Sequence, residues 1–339
     1  MARYVLRRLL LAVSVVAAVS FAAFVGFGLS LDPSFPLAFQ PRDRAVVQAY
    51  YHLRDPILSR YAHWVAGLVH HGFGLTVSTD VGGAPLRLQS LGEPIGPQLL
   101  HAAEVTAALV ALALVFVAVG STAVGVFTAQ RRRFHSDVGV RSLAYLGAAV
   151  PTFLLGDLLL RAYAPHVTAT FVRGKGYVLT TTTGWFLLGP PTGGVLDWLR
   201  HLFLPSLTLA IGLIGIYARY LRSAMTVELA RPYVMVARGK GLSERRVLLR
   251  HVLRNSLVPV ASILTLELGG IIGASIAADG IFDSGGLASV FLGALGHADP
   301  FQLTAIVVVS AVVVCGFTLA GDLFVGVLDP RVATRSSPG

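Results

Sequence analysis

Apolar residues in this chain gather into runs too long for a buried soluble helix and too continuous for an alternating strand. A helix needs about 20 apolar residues to cross the roughly 30 Å of bilayer hydrocarbon. Six segments meet that length with soft edges: 9–31, 105–129, 143–160, 204–220, 257–276 and 303–328. The first run follows Arg3, Arg7 and Arg8, as a cleaved signal peptide would. A signal peptide's apolar region is only about 7–15 residues long. This run is longer and lacks a clear small-residue cleavage site, so it predicts an uncleaved first span. The pattern as a whole predicts an all-α membrane protein with six transmembrane helices.

The polar intervals set the orientation. With the N-terminus, residues 129–142, residues 219–256 and the C-terminal tail placed in the cytoplasm, that side holds 18 of the 27 basic residues but only 4 of the 17 acids. Arg and Lys are retained on the cytoplasmic side of membrane proteins, so both termini are expected inside. The net charge of +10 therefore follows from topology, and no nucleic-acid partner is expected. Charged residues make up 13% of the chain and the mean hydropathy is +0.72. A soluble domain carries roughly 25% charge, and disorder needs still more. A lone Cys315 excludes a disulfide framework or a Cys-based zinc site within the chain.

Two outer loops are long. Residues 32–101 contain a helical-looking stretch, 50–71, where Trp64 and other aromatics mix with Arg54, Asp55 and Arg60. Such a stretch suits a helix lying in the membrane interface. Residues 162–203 carry a threonine run at 180–183, Trp185 and the turn-forming Gly189-Pro190-Pro191. No period of 20–50 residues recurs, which argues against a solenoid.

Residues 231–259, RPYVMVARGKGLSERRVLLRHVLRNSLVP, are too polar to span and too patterned for a plain linker. Gly239 and Gly241 permit a sharp turn. Ser243 can then cap a helix, with Glu244 favourably placed in its first turn. At 100° per residue Arg246, Arg250 and Arg254 share one edge, while Leu248, Leu249, Val252 and Leu253 share another arc interrupted by Arg245. The expectation is a short amphipathic helix between two spans. It either rests on lipid headgroups or docks on a partner, and the pattern leaves both open.

Catalytic motifs are missing. No G-x-x-x-x-G-K-[ST] phosphate loop, H-E-x-x-H helix or G-x-S-x-G elbow occurs. His70 and His71 are adjacent, not four apart as a helical metal pair must be. The chain is expected to be no enzyme and to hold no metal or cofactor. Within the spans, Glu267 sits near mid-membrane just before Gly269, Gly270 and Gly273, while Asp157 and Asp322 lie near span ends. A mid-span acid is costly and faces a cavity or a partner, so Glu267 is either a solute-path residue or an interhelical hydrogen-bond acceptor. Asp157 and Asp322 are read as packing or interface residues.

Several ordered motifs carry a resemblance. Tyr233-Val234, then Ala237-Arg238-Gly239-Lys240-Gly241-Leu242-Ser243, Val247-Leu248-Leu249-Arg250-His251 and Leu253-Arg254-Asn255-Ser256-Leu257-Val258-Pro259 form the longest block. Arg3-Tyr4, Leu6-Arg7-Arg8-Leu9-Leu10, Asp55-Pro56 with Tyr61 and Trp64, Pro151-Thr152-Phe153, Leu204-Pro205-Ser206-Leu207-Thr208-Leu209 and Leu328-Asp329-Pro330-Arg331 accompany it along the chain. Together they resemble the permease subunits of bacterial ABC-class peptide importers, a family that also includes nickel and some oligosaccharide permeases. Met235 and Val236 depart from that pattern, standing where a polar pair is usual, and residues 162–203 match poorly.

The resemblance implies a type I importer permease in the bacterial plasma membrane. Residues 1–101 would supply the first helix and a long outer loop, and 102–339 a five-helix core with a coupling loop at about 219–256. It implies a second homologous permease, two ABC ATPase chains that bind ATP and Mg, an extracytoplasmic solute-binding protein and surrounding membrane lipid. Ala237, Gly241, Leu242, Ser243, Arg245, Arg246, Leu248 and Leu249 would couple to the ATPase. Leu242, Leu248 and Leu249 would dock by apolar contact, and Arg245 and Arg246 on acidic groups. Glu267, Pro151 and Thr152 would line the translocation path. Oligopeptides or dipeptides are the expected cargo, with nickel or oligosaccharides as alternatives. An ion-gradient-driven secondary transporter and a membrane scaffold that moves no solute are the competing classes.

Overall fold

The computed structural model describes residues 2–31, 48–49, 52–71, 95–130, 142, 146–147, 149–163, 167–172, 176–181, 186–188, 191, 193–296 and 299–328. Arg131, Arg132 and Arg133, Gly189-Pro190, Trp185 and Asp329-Pro330-Arg331 lie outside them, as do the side chains of His70 and His71. In chain order the helices are α1 (Ala2–Ser30), α2 (Ile57–His71), α3 (Ile95–Gln130), α4 (Thr152–Tyr163), α5 (Val195–Leu229), α6 (Pro232–Gly239), α7 (Glu244–Phe282), α8 (Leu287–Gly296) and α9 (Pro300–Leu328). Five of these described helices, α1, α3, α5, α7 and α9, are long and apolar enough to cross a membrane.

Two expectations change in detail. The run at 143–160 is interrupted at Pro151, and α4 behind it has 12 residues, about 18 Å of helix at 1.5 Å per residue. Proline has no N–H to give a preceding turn, so a helix starts at or beside it more readily than it runs through it. Between α4 and α5 the chain also forms an antiparallel hairpin, β1 (Val167–Val172) with β2 (Gly176–Thr181), in which Val167 pairs with Thr181 and Val172 with Gly176. Among the described residues the regular structure is helical apart from this pair of strands.

The chain divides into two compact units, each discontinuous in sequence. One comprises Leu6–Val105 and Gly285–Val313. Its core joins Ile95, Leu99 and Ala102 of α3 to Leu287 and Val290 of α8 and Leu303 and Ile306 of α9. Here α2 is not merely laid on an interface. Tyr61 shares a 2.7 Å hydrogen bond with Ser20, and Phe24 of α1 meets the rings of Tyr61 and Trp64 at 5.4 and 5.7 Å. Burying these large rings drives the contact.

The other unit comprises Met1–Val5, Thr106–Ser284 and Val314–Gly339. Its long helices pack closely through small residues, as helices surrounded by lipid must. A Cβ on Gly120 would lie 2.6 Å from Ile214 Cδ1, and one on Gly321 would lie 2.6 Å from Thr265 Oγ1. Pro205 inside α5 cannot donate to the preceding turn, and neighbouring Ser206 instead donates a 2.9 Å bond to the Leu109 carbonyl of α3. In an apolar medium such bonds keep polar groups satisfied.

Candidate functional site

The polar loop after α5 folds on itself. Pro232 opens α6 at its first position, where the missing N–H costs nothing. The helix closes in a paired motif: Leu242 N–H donates to the Ala237 carbonyl at 3.3 Å and Gly241 N–H to the Arg238 carbonyl at 2.9 Å. Gly241 has φ +77°, the left-handed backbone that such a helix end requires and glycine adopts freely.

Ser243 then takes the position before α7, but its side chain makes no capping bond; its carbonyl accepts from the Arg246 and Val247 amides. Glu244 is instead held by Arg238 of α6, whose Nε donates at 3.0 Å while a second guanidinium nitrogen bonds the other carboxylate oxygen. These bonds raise the Arg238 pKa above its ordinary value.

The expected short, separate helix after Gly241 is not found. Glu244 begins a helix that runs directly into the following long apolar segment, and the separate helix is α6, which precedes Gly241. Residues Val247–Val252 of α7 form a π-helical stretch. With i→i+5 bonding each residue turns through less than 100°, so positions five apart lie nearer one face than they do in an α-helix. Val247 and Val252 are both fully buried, with Leu248 at 2% exposure beside them. Leu248 is thus largely covered within the chain, although it still borders the groove described below, beside Leu249. Of the three expected apolar docking residues, Leu242 is half-buried and only Leu249, at 43%, is exposed. Arg246, Arg250 and Arg254 are all exposed, as their shared edge requires, and Arg245 is exposed as well.

Tight packing joins α6 to the two long helices flanking it. Val234 and Ala237 pack with Leu221 and Met225 of α5 and with Val247 and Val252 of α7. Tyr233 donates to Glu228 of α5 at 2.7 Å and accepts from Asn255 of α7 at 3.2 Å. Burial, followed by the bond to Glu228, pushes the Tyr233 phenol above its usual range. The outer side of α6 shows Met235 and Val236 at 68% and 58% exposure. An open groove of about 910 Å³ lies alongside, with Val126, Ala129, Leu229, Leu248 and Leu249 as apolar wall and Arg238, Glu244 and Arg245 as polar rim.

A second constellation sits on α7. Glu267 accepts a 2.7 Å bond from Tyr217 of α5; Tyr217 is buried and Glu267 is exposed. Leu266, Gly269, Gly270 and Gly273 face the surface nearby, and a Cβ on Gly270 or Gly273 would meet nothing within 4 Å. Pro151 and Thr152 stand at the start of α4, whereas the partner of Glu267 is Tyr217. Asp157 pairs with Arg161 at 2.7 Å, and Asp322 is half-buried on α9.

Sequence reasoning named Tyr233 only within the motif, without its bonds, and missed Tyr217 and the Arg238–Glu244 pair. For that pair a signal existed, since opposite charges flank a glycine turn; for Tyr217 none did.

Bilayer-length helices with a short helix clamped between two of them define a multi-pass membrane protein. The family of binding-protein-dependent transport system inner membrane components matches residues 121–334, and the chain belongs to that family. It is a multi-pass inner-membrane permease subunit. Three relatives are similar over nearly their whole length. The oligopeptide transport system permease protein OppB of Mycobacterium tuberculosis is 32% identical, covering 98% of this chain and 99% of its own. AppB of Bacillus subtilis, an oligopeptide transport system permease protein, is 29% identical, with 98% and 99% covered. The dipeptide transport system permease protein DppB of Escherichia coli K12 is 26% identical, again with 98% and 99% covered.

Proposed function

We propose that this chain is one of two transmembrane subunits of an ATP-driven importer that takes up oligopeptides or dipeptides. The names and full-length coverage of OppB, AppB and DppB support that cargo over nickel or oligosaccharides. The ion-gradient alternative loses ground to the family membership. In this reading the chain crosses the membrane six times, with α4 and the residues before it as the third crossing and both termini inside. A solute-binding protein delivers the peptide on the outer side, a second permease completes the path, and two ATPase chains hydrolyse ATP with Mg.

One observation carries the mechanism: α6 is tied to α5 through Tyr233–Glu228 and to α7 through Asn255 and Arg238–Glu244. A push on α6 is therefore delivered to two long helices at once. Met235, Val236 and Leu249 form the apolar contact with the ATPase, and Arg245 and Arg246 meet acids at its rim. Gly241, Leu242, Ser243 and Ala237 hold the shape of the loop, and Leu248 anchors it from within. Closure of the ATPases rocks α5 and α7 between two global states, the rigid-body form of switching.

Purification of the complex in mild detergent tests this. A second permease and P-loop ATPases should copurify with the chain, and Met235→Glu with Val236→Glu should release the ATPases but not the permease. A lone chain under gentle extraction, or unchanged ATPase recovery with the double variant, overturns the assignment.

A further inference from the structure

We propose that His52, Asp55 and His63 form a binding site for one divalent transition-metal ion of the zinc class. His52 and Asp55 lie in the turn that precedes α2, and His63 lies on α2 itself. Each offers one ligand atom, and the three atoms lie within 4.8 Å of one another. Zinc holds imidazole nitrogens at about 2.0–2.1 Å in a tetrahedron, which spaces donors roughly 3.4 Å apart. Side-chain rotation, including a turn of one imidazole out of its stack on the other, closes the difference.

The donor set decides the metal. Two imidazoles and a carboxylate suit zinc, copper or nickel, while calcium and magnesium take oxygen ligands. Three protein ligands leave a fourth position for water or another donor.

Three details favour a ligand over a simple turn-closing contact. The His52 and His63 rings lie with centroids 4.6 Å apart at an interplanar angle of 16°, which brings both imidazoles to the same place; one ring turns out of the stack for both nitrogens to meet a shared ion. His52 Nδ1 stands 3.5 Å from Asp55 Oδ2, beyond a good hydrogen bond and suited to two donors facing a third body. His52 also has φ +51°, a conformation costly for a residue with a side chain and often retained at functional sites.

The frame is rigid. Asp55 N–H donates to the His52 carbonyl at 2.9 Å, and α2 is fixed to α1 through Tyr61 and Ser20. The neighbouring cations turn away: Arg54 bonds Gln48 at 3.4 Å, and the Arg60 guanidinium lies over the Phe24 ring at 5.9 Å. This inference does not rest on the transport reading. In the proposed topology the site faces the outer side, where the solute-binding protein arrives.

The full chain, purified on a tag without histidine and stripped with chelator, would be titrated with zinc chloride alone by calorimetry. One ion per chain is expected, and cobalt in its place should give the intense visible bands of a tetrahedral site. His52→Ala, His63→Ala and Asp55→Asn should each weaken binding by about tenfold or more, the loss known for even the outer partners of a metal site. His70→Ala with His71→Ala should leave it unchanged. Metal-free melting curves establish that each variant is folded. No stoichiometric uptake by the wild type overturns the site, as does unchanged affinity in the His52 and His63 variants or loss of binding in the His70/His71 variant.

Discussion

Gly241 decides how the chain leaves α6. Its φ of +77° would cost any residue with a Cβ roughly 1–2 kcal/mol, although the space around it is open. Gly241→Asp is therefore expected to insert normally while misdirecting the start of α7. In reconstituted vesicles, ATP hydrolysis should continue without matching peptide uptake, and wild-type uptake would refute the coupling role. At Glu267 the geometry joins two readings that the sequence kept apart. The carboxylate accepts from buried Tyr217 and also stands on the open face of α7. A hydrogen bond contributes about 0.5–1.5 kcal/mol net, so Tyr217→Phe should lower stability in detergent by that order. Glu267→Gln should alter the charge preference among transported peptides; an unchanged cargo profile would leave only the structural tie.

At the scale of elements, α6 and the first turns of α7 behave as one part. The exposed edge of Arg246, Arg250 and Arg254 was legible in the sequence because any helical repeat near 100° puts positions four apart together. The buried side was not. Its apolar arc was read at the α-helical angle, whereas the π-helical stretch brings Val247 nearer the face of Val252, and both are buried with Leu248. No residue in VLLRHV announces that change of period; packing against Met225 and Val234 accompanies it. The Arg238–Glu244 pair is exposed, and exposed pairs contribute only about 0.2–1 kcal/mol. Its proposed value is mechanical. Arg238→Glu should reduce uptake more than stability, and adding Glu244→Arg should restore uptake. Failure of the swap to restore it would show that Arg238 acts by another contact.

For the whole molecule, glycines separate internal packing from surface kept open. Gly321 lies against Thr265 and Gly120 against Ile214, whereas Gly270 and Gly273 face nothing within 4 Å. Overpacking a tight contact costs typically about 1–3 kcal/mol. Gly321→Val should therefore lower the unfolding midpoint of the isolated chain. We propose that the second permease packs on this open face, so Gly270→Leu should leave that midpoint unchanged but reduce the second permease's recovery. Equal effects of the two variants on the midpoint would remove the distinction.

The sequence by itself determined that this is a helical membrane protein, where its long apolar runs lie, the family it belongs to and the loop that carries its signal. Those properties follow from hydropathy and local motif, which neighbouring residues along the chain specify. The tertiary structure decided which loop residues are available and which are buried, that Tyr217 meets Glu267, and that His52 stands beside His63. These depend on the path of the backbone through a left-handed turn, a π-helical stretch or a contact between distant helices. Such geometry arises from packing among residues far apart in the chain, so no local pattern records it.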